Sequence, residues 1–352
     1  MERAVFRIID ANFNRAREAA RVMEEYCRFV LNSSALSGRA KQLRHQVCAA
    51  IGKLDANMLI AGRDVCGDVG RGMRVDGQLG RANLRDCFAA AAKRLTEALR
   101  VLAETTQTLN PAVAQTFEQL RFNAYSLEKD ILISSSVAEK LSSIRLYVLI
   151  NANDDTSDSQ ILDLAKACAA GGADCIQLRA KGINDRHIFK LAGEIVKVCK
   201  DATVVSIIND RVDIAAAVGA DGVHFGQEDL PVGQGRRMQL APMIFGLSTH
   251  SIDQLKAAIA ERADYVSLGA VFASSIKPHI ATAGLEYVSE ATQLLQDSGI
   301  GHLAIGGITL ENVGRVLKAG AEAVAVCSAV TQARNPKTMC RRLKDKILST
   351  KT

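Results

Sequence analysis

Two short stretches carry side chains suited to holding a small hard cation. Ser206-Ile207-Ile208-Asn209-Asp210-Arg211 and Gly222-Val223-His224-Phe225-Gly226-Gln227-Glu228-Asp229 are each an apolar run that ends abruptly in polar residues. That is the pattern of a buried parallel strand whose C-terminal end opens onto a site. Asp210 and Asp229 then sit at the tips of neighbouring strands. Two carboxylates with an amide at Asn209 suit Mg²⁺, which keeps several waters and is commonly held by one or two carboxylates plus substrate phosphates. The same residues also read as local structure, with Asn209 and Asp210 capping a helix and Asp229 in a turn. What else gathers at those strand ends decides between the readings.

The elements that must position them follow from the pattern after residue 143. Eight short apolar runs occur there: Leu146–Ile150, Cys175–Arg179, Val204–Asn209, Gly222–Phe225, Ile244–Ser248, Tyr265–Gly269, Leu303–Gly307 and Ala323–Ser328. Helix-length segments separate nearly all of them, among them Gln160–Ala170, Asp185–Lys200, Ser251–Glu261, Tyr287–Asp297 and Leu310–Ala319. Eight βα units in about 210 residues predict an α/β fold, a compact (β/α)8 TIM barrel, with a doubly wound open sheet as the alternative. Gly-Ala-Asp or Gly-Ala-Glu at 172–174, 219–221 and 320–322 fits, each ending a helix and leading into the next strand.

In a barrel, chemistry collects at the C-terminal strand ends. There the sequence places Gln177-Leu178-Arg179-Ala180-Lys181, Asn209-Asp210, His224 with Gln227 and Asp229, Ser248-Thr249-His250, Ser274-Ser275-Ile276-Lys277, Gly306-Gly307 and Cys327-Ser328. Gly306-Gly307 and Cys327-Ser328 match the phosphate cup that barrels build after strands seven and eight, where missing Cβ atoms let backbone N–H groups approach an anion. A tight turn is the alternative for the glycine pair. Arg179, Lys181 and Lys277 come from separate strands and converge on a second, more highly charged group. Two anion sites with Mg²⁺ imply the joining of a phosphate ester to a diphosphate ester.

The whole chain sets bounds on this. Its 352 residues suit two domains, and 48% hydrophobic with 23% charged residues is a globular composition. There is no signal-like opening and no run of about 18 apolar residues, so a cytoplasmic enzyme is expected. The nine cysteines include no C-x-x-C pair, which argues against a zinc site and a disulfide framework. Residues 1–143 hold 21 Lys+Arg against 16 Asp+Glu, a net of +5 out of +6, and 16 of those cations are Arg. Guanidinium favours bidentate phosphate or carboxylate contact. With no Trp and no Lys/Arg block, a small anion is the better partner and nucleic acid the poorer one.

Residues 1–130 read as an all-α helical domain, with apolar residues at three- and four-residue spacing from Asn12 to Val30 and from Leu84 to Leu109. Asn110-Pro111 starts a further helix to about Ile131. The serines between Ile131 and Ser143 predict a linker over 131–143, and the barrel then occupies 144–352. An internal repeat matches 15–25 to 94–104. It sets Arg15, Glu18, Arg21 and Glu25 on one helical stripe and Arg94, Glu97, Arg100 and Glu104 on its counterpart. These are either two ion-paired surface helices or two facing helices whose arginines converge on a phosphate. Between them Arg63-Asp64-Val65-Cys66-Gly67-Asp68-Val69-Gly70-Arg71-Gly72-Met73-Arg74 is an exposed turn, or a loop carrying nucleotide phosphates with a metal on Asp64 or Asp68. It is not a P-loop.

Taken in order, Gln177-Leu178-Arg179-x-Lys181, Ile208-Asn209-Asp210, Gly222-Val223-His224-x-Gly226-Gln227-Glu228-Asp229, Gly246-x-Ser248-x-His250, Lys277, Gly306-Gly307-Ile308 and Ser328 closely resemble the signatures of the thiamine-phosphate synthase family. The resemblance covers about Leu146 to Ala333. It implies a transferase that joins hydroxymethylpyrimidine diphosphate to thiazole phosphate, giving thiamine phosphate and pyrophosphate with Mg²⁺. Carried over, it implies that Gln177, Arg179, Lys181 and Asn209 hold the pyrimidine diphosphate, with Ser248 and Lys277 on its pyrophosphate. Gly307 and Ser328 would take the thiazole phosphate, and Asp210 and Asp229 the metal. No protein nucleophile is needed, because the aminopyrimidine ring stabilises a carbocation as pyrophosphate leaves and the thiazole nitrogen captures it. Where the family has Thr-x-Thr-Lys, this chain has Ser274-Ser275-Ile276-Lys277, so Ile276 cannot donate a second hydroxyl.

The front domain, through Ile9-Asp10-Ala11-Asn12-x-Asn14-Arg15, the Glu18-x-x-Arg21 repeat and the Asp64/Asp68 loop, resembles a small helical family, often fused to this synthase, that phosphorylates hydroxymethylpyrimidine phosphate; ATP would be its co-substrate. A regulatory or dimerising helical domain is the alternative. For the barrel the alternatives are a thiazole tautomerase-like enzyme, which typically lacks the second metal carboxylate, or a non-catalytic barrel that binds thiamine precursors. The resemblance does not set the oligomeric state.

Overall fold

The structure is a computed structural model, and it describes residues 2–73, 80–153, 156–238, 241–273, 282–296 and 298–350. The chain divides into two compact units, Met1–Ser135 and Ser136–Thr352.

The first unit is helical: α1 (Glu2–Phe29), α2 (Ser34–Ile51), α3 (Ala56–Gly62), α4 (Leu84–Thr106) and the first part of α5 (Pro111–Ser142). Local capping sets the boundaries. The Ser33, Asp55 and Asn83 side chains accept the first free N–H groups of α2, α3 and α4. Asn110 does the same for α5 through the Ala112 and Val113 N–H groups, with Pro111 in the first turn, where its missing N–H is not needed. The repeat is the packing unit of α1 on α4. Ala16, Ala19, Ala20 and Met23 are buried, as are their counterparts Leu95, Ala98, Leu99 and Leu102. Alanine in α1 stands where α4 has leucine at two of the four positions, a small-large complement that lets two helices approach closely.

Of residues 131–143, expected as a linker, 131–142 are instead the last turns of α5. Ser135 explains the difference: its hydroxyl donates to the Ile131 carbonyl at 2.9 Å and lies 3.1 Å from the Tyr26 hydroxyl. Ser135 is thus satisfied within a helix rather than by solvent. The boundary between the two compact units falls inside this helix, and the first helix begins ten residues before the expected Asn12 because Phe6 and Ile9 are buried in the same core.

The second unit is a closed barrel of eight parallel strands in sequence order. They are β1 (Leu146–Ala152), β2 (Cys175–Ala180), β3 (Val205–Asn209), β4 (Gly222–Phe225), β5 (Ile244–Thr249), β6 (Tyr265–Leu268), β7 (Gly301–Ile305) and β8 (Ala323–Val326). Around them lie α6 (Asp158–Ala170), α7 (Asp185–Asp201), α8 (Val212–Val218), α9 (Val232–Arg237), α10 (Ile252–Ala260), α11 (Gly284–Leu295), α12 (Val313–Lys318), α13 (Ser328–Thr331) and α14 (Pro336–Thr350). Among the described residues no helix is long and apolar enough to cross a membrane.

The recurrent Gly-Ala-Asp has a defined role at the N-terminal strand ends. Gly172, Gly219 and Gly320 have positive φ, so each stops a helix where L-residues would be strained. After Gly172 and Gly219 the acid that follows ties down the start of the preceding strand: Asp174 accepts from the Arg145 and Leu146 N–H groups, and Asp221 from the Ser206 N–H and hydroxyl. Asp264, in Arg262-Ala263-Asp264 with Arg262 at φ +59°, does the same for the Phe245 N–H. Each also takes a cation: Lys344, Lys140 and Arg236 respectively. The tail of α5 closes this end of the barrel, with Val137 and Leu141 packed on Tyr147, Cys175, Tyr265 and Leu303.

Candidate active site

At the opposite end, β3 and β4 deliver the two carboxylates. Asp210 follows β3 at φ +62°, a left-handed position that Asp tolerates better than most residues. Its N–H donates to the His224 carbonyl at 2.8 Å, which fixes the end of β3 against β4. Its carboxylate lies 3.1 Å from Lys181 Nζ and is acted on by the Asp229 carboxylate. Asp229 in turn accepts the Gly226 N–H at 2.6 Å. Burial and the Asp229 carboxylate push Asp210 above its ordinary pKa. Burial works the same way on Asp229, but the interaction with Asp210, the Gly226 N–H and the Lys181 charge outweigh it and hold Asp229 low. Two carboxylates that act on one another repel when both are ionised, and a cation between them would relieve that repulsion. Among the described residues no third His, Cys, Asp or Glu joins them. Such a pair fits a hard ion that fills its remaining positions with water and phosphate oxygens.

Beside this pair a cavity of about 360 Å³ opens among the strand ends. Six of the expected residues line it: Gln177, Arg179, Asn209, Ser248, Gly307 and Ser328. Lys181, Asp210 and Asp229 are not in its lining, and form the carboxylate cluster next to Asn209 instead. Lys277 and the Ser274-Ser275-Ile276 segment before it lie outside the described residues. Gln177 Nε2 donates to Asn209 Oδ1 at 3.0 Å, and Arg179 Nη1 donates to Asn151 Oδ1 at 3.3 Å. Asn151 was not expected. It is the amide at the C-terminal end of β1, which its place after the Leu146–Ile150 run could have signalled.

The glycine pair is more than a turn of convenience. Gly306 has φ +106° and Gly307 φ +60°. A Cβ on Gly306 would stand 2.6 Å from Ala270 Cα, and one on Gly307 2.5 Å from the Ala273 carbonyl oxygen. Asn312 braces the turn, donating to the Gly307 carbonyl at 2.9 Å and accepting the Thr309 N–H at 2.8 Å. The bare backbone that results lines the same cavity as Ser328 at the start of α13.

From the strand-end residues His224 and Ser248 a line of polar groups runs down to two buried tyrosines that the strand ends did not signal. His224 Nε2 is 2.9 Å from Ser248 Oγ, His224 Nδ1 is 2.9 Å from the Tyr265 hydroxyl, and that hydroxyl is 3.1 Å from the Tyr147 hydroxyl. Burial lowers His224 to about 4 against the pull of Asp229, so the imidazole is neutral at pH 7. Tyr147 and Tyr265 sit near the N-terminal ends of β1 and β6, where only the barrel's register turns them inward.

In the helical unit, Arg63 makes two hydrogen bonds to the buried Asp10 carboxylate, at 2.8 and 2.6 Å. The expected loop acids are turn formers. Asp64 accepts the Gly67 N–H and Asp68 the Gly70 N–H; Arg74, the end of that motif, lies outside the described residues. Two of the repeat arginines are ion-paired on their own helices. Arg21 pairs with Glu25 and Arg100 with Glu104, each one turn along its own helix.

The pattern defining the family described as Thiamine monophosphate synthase matches residues 146–330, and the ThiD2 family matches residues 7–130. A thiamine-phosphate synthase from a Nostoc species is 38% identical over 336 residues, covering 96% of this chain and 92% of its own. The chain belongs to the thiamine-phosphate synthase family. It is accordingly an enzyme, a transferase. Another member, the thiamine-phosphate synthase of Rhodopirellula baltica, is 38% identical over 337 residues, covering 93% of this chain and 88% of its own. These family members align across both units of the chain. A solved thiamine phosphate pyrophosphorylase from Pyrococcus furiosus superposes with a TM-score of 0.53 at 28% identity. It spans 61% of this chain and 98% of its own.

Proposed function

We propose that the cavity joins 4-amino-2-methyl-5-(diphosphomethyl)pyrimidine to 4-methyl-5-(2-phosphoethyl)thiazole, with the residues divided between the two substrates. Gln177 and Asn209 hold the pyrimidine. Arg179, Lys181, Ser248 and Lys277 hold its diphosphate, while Gly307 and Ser328 take the thiazole phosphate. The bond between the pyrimidine methylene and the diphosphate oxygen breaks, pyrophosphate departs with the electron pair, and the thiazole nitrogen closes onto the methylene carbon. The protein's task is positioning and charge compensation rather than covalent attack. Asp210 and Asp229 are the residues that would hold Mg²⁺, which when bound neutralises charge on the leaving pyrophosphate. What supports this reading is a single cavity lined by a guanidinium, a Cβ-free glycine turn and Ser328, with two interacting carboxylates beside Asn209. The test is direct. Full-length protein, both substrates and Mg²⁺ should give thiamine phosphate and pyrophosphate in equal amounts; no product overturns it.

For the helical unit we infer a kinase that phosphorylates hydroxymethylpyrimidine phosphate with ATP, so that one chain makes and consumes the diphosphate. The ThiD2 match over residues 7–130 supports it. The full-length chain should form thiamine phosphate from the pyrimidine monophosphate and thiazole phosphate only when ATP is added. Product from the diphosphate but none from the monophosphate with ATP removes the kinase assignment. We infer a cytoplasmic location, whose reducing conditions suit the free cysteines.

A further inference from the structure

The line Tyr147, Tyr265, His224, Ser248 crosses the barrel interior from its closed end to the cavity. Its three tight links are 3.1, 2.9 and 2.9 Å. Tyr147, Tyr265 and His224 are all buried, and the line meets the cavity lining at His224 and Ser248. Ser267 is 3.5 Å from both His224 Nε2 and Ser248 Oγ, too far to compete with the 2.9 Å link.

Each link holds one proton, so the line has two self-consistent polarities. In one, Ser248 donates to His224, His224 to Tyr265, Tyr265 to Tyr147, and Tyr147 must end on the thiol of Cys175, its neighbour across β1 and β2. Sulfur is a weak acceptor, so this arrangement strands a phenol proton in a buried place. In the other, Tyr147 donates to Tyr265, Tyr265 to Nδ1 of His224, and Nε2–H to Ser248. Every O–H and N–H then meets oxygen or nitrogen, and only the weak S–H is left at the far end. The Ser248 hydroxyl, already accepting, is free to turn its own hydrogen into the cavity. Gly246 keeps the space for this line: a Cβ there would overlap both the Tyr265 ring and His224 Nδ1.

We propose that Tyr265 is a positioning residue for Ser248, fixing His224 in its Nε2–H tautomer so that Ser248 faces the cavity as a hydrogen-bond donor to an anionic ligand. The ligand's identity rests on the pyrophosphate reading of Ser248 given above; the tautomer does not.

Two measurements on the full-length chain separate these points. Two-bond ¹H–¹⁵N spectra, with the His224 signals assigned against His224→Asn, should show the Nε2–H imidazole in the parent protein and its loss in Tyr265→Phe. An Nδ1–H imidazole in the parent, or a tautomer indifferent to Tyr265→Phe, overturns the positioning role. The second probe is inorganic pyrophosphate with Mg²⁺. Ser248→Ala and Tyr265→Phe should each weaken its binding, by up to ~10-fold, about one hydrogen bond, and the double variant should bind no worse than Ser248→Ala alone. Tyr265→Phe having the same effect in both backgrounds is a general packing effect and overturns the proposal. Unchanged pyrophosphate binding in Ser248→Ala, with the tautomer shift present, overturns only the ligand assigned to Ser248.

Discussion

Lys181 Nζ and Asp210 Oδ2 lie 3.1 Å apart, and the Asp229 carboxylate acts on the same Asp210 carboxylate. Three charged groups from the ends of three consecutive strands therefore meet at one point, with two negative charges and one positive. The cluster is short of one positive charge when both acids are ionised, and Asp210 responds by holding its proton more tightly. A divalent cation would remove that deficit.

Asp229→Ala is expected to abolish Mg²⁺-dependent product formation, by a factor of about 100 or more, while leaving the melting temperature close to that of the parent. Turnover at the parent rate, measured by pyrophosphate release, rules out Asp229 as a metal ligand.

Gly307→Ala places a Cβ 2.5 Å from the Ala273 carbonyl oxygen at a φ of +60°. It should raise KM for the thiazole phosphate by about tenfold or more through displacement of the turn, and lower stability by about 1–3 kcal/mol. Parallel KM measurements for both substrates check it, since a general folding defect raises neither selectively.

Asp221 supports folding rather than chemistry. Although burial opposes ionisation, Lys140 and Ser206 hold its pKa below the ordinary 3.8. A carboxyl that is more acidic folded than unfolded binds fewer protons in the native state. Its stabilisation is therefore present above pH 3.8 and is lost as pH falls through the lower, folded-state value. Asp221→Asn should reduce stability at pH 7 by about 2 kcal/mol and flatten its acid dependence in that window. Denaturant melts at pH 7 and below pH 4 measure both.

His224 gives the opposite kind of group with the same sign. Its pKa falls from 6.5 to about 4 on folding, chiefly by burial, so the unfolded chain takes up a proton between those values and the native protein does not. Stability from this residue is whole above pH 6.5 and declines by about 3 kcal/mol as pH drops toward 4. An imidazole titrating with a midpoint near 6.5 in the folded protein contradicts it.

What was legible in the sequence followed from local pattern. The eight strands are runs of apolar residues that stop at polar ones, and such runs announce both a buried strand and its functional end; Gln177, Arg179, Asn209, Ser248, Gly307 and Ser328 were found that way and share one cavity. Tyr147 and Tyr265 were not legible, because a tyrosine early in a strand looks the same whether it points into a barrel or out to its helices. The tail of α5 was misread for the converse reason. Ser134-Ser135-Ser136 has a linker's composition, yet Tyr26 and the Ile131 carbonyl, neither visible in local composition, hold Ser135 in a helix.

That helix has a consequence for how such a chain can be divided. Val137 and Leu141 seal the barrel floor and Lys140 pairs with Asp221, so the plug of the synthase portion is encoded upstream of its first strand. A gene cut at the apparent seam near Ser143 would yield a bucket without a bottom. Recombination that kept the barrel working would have to carry those few codons along with it.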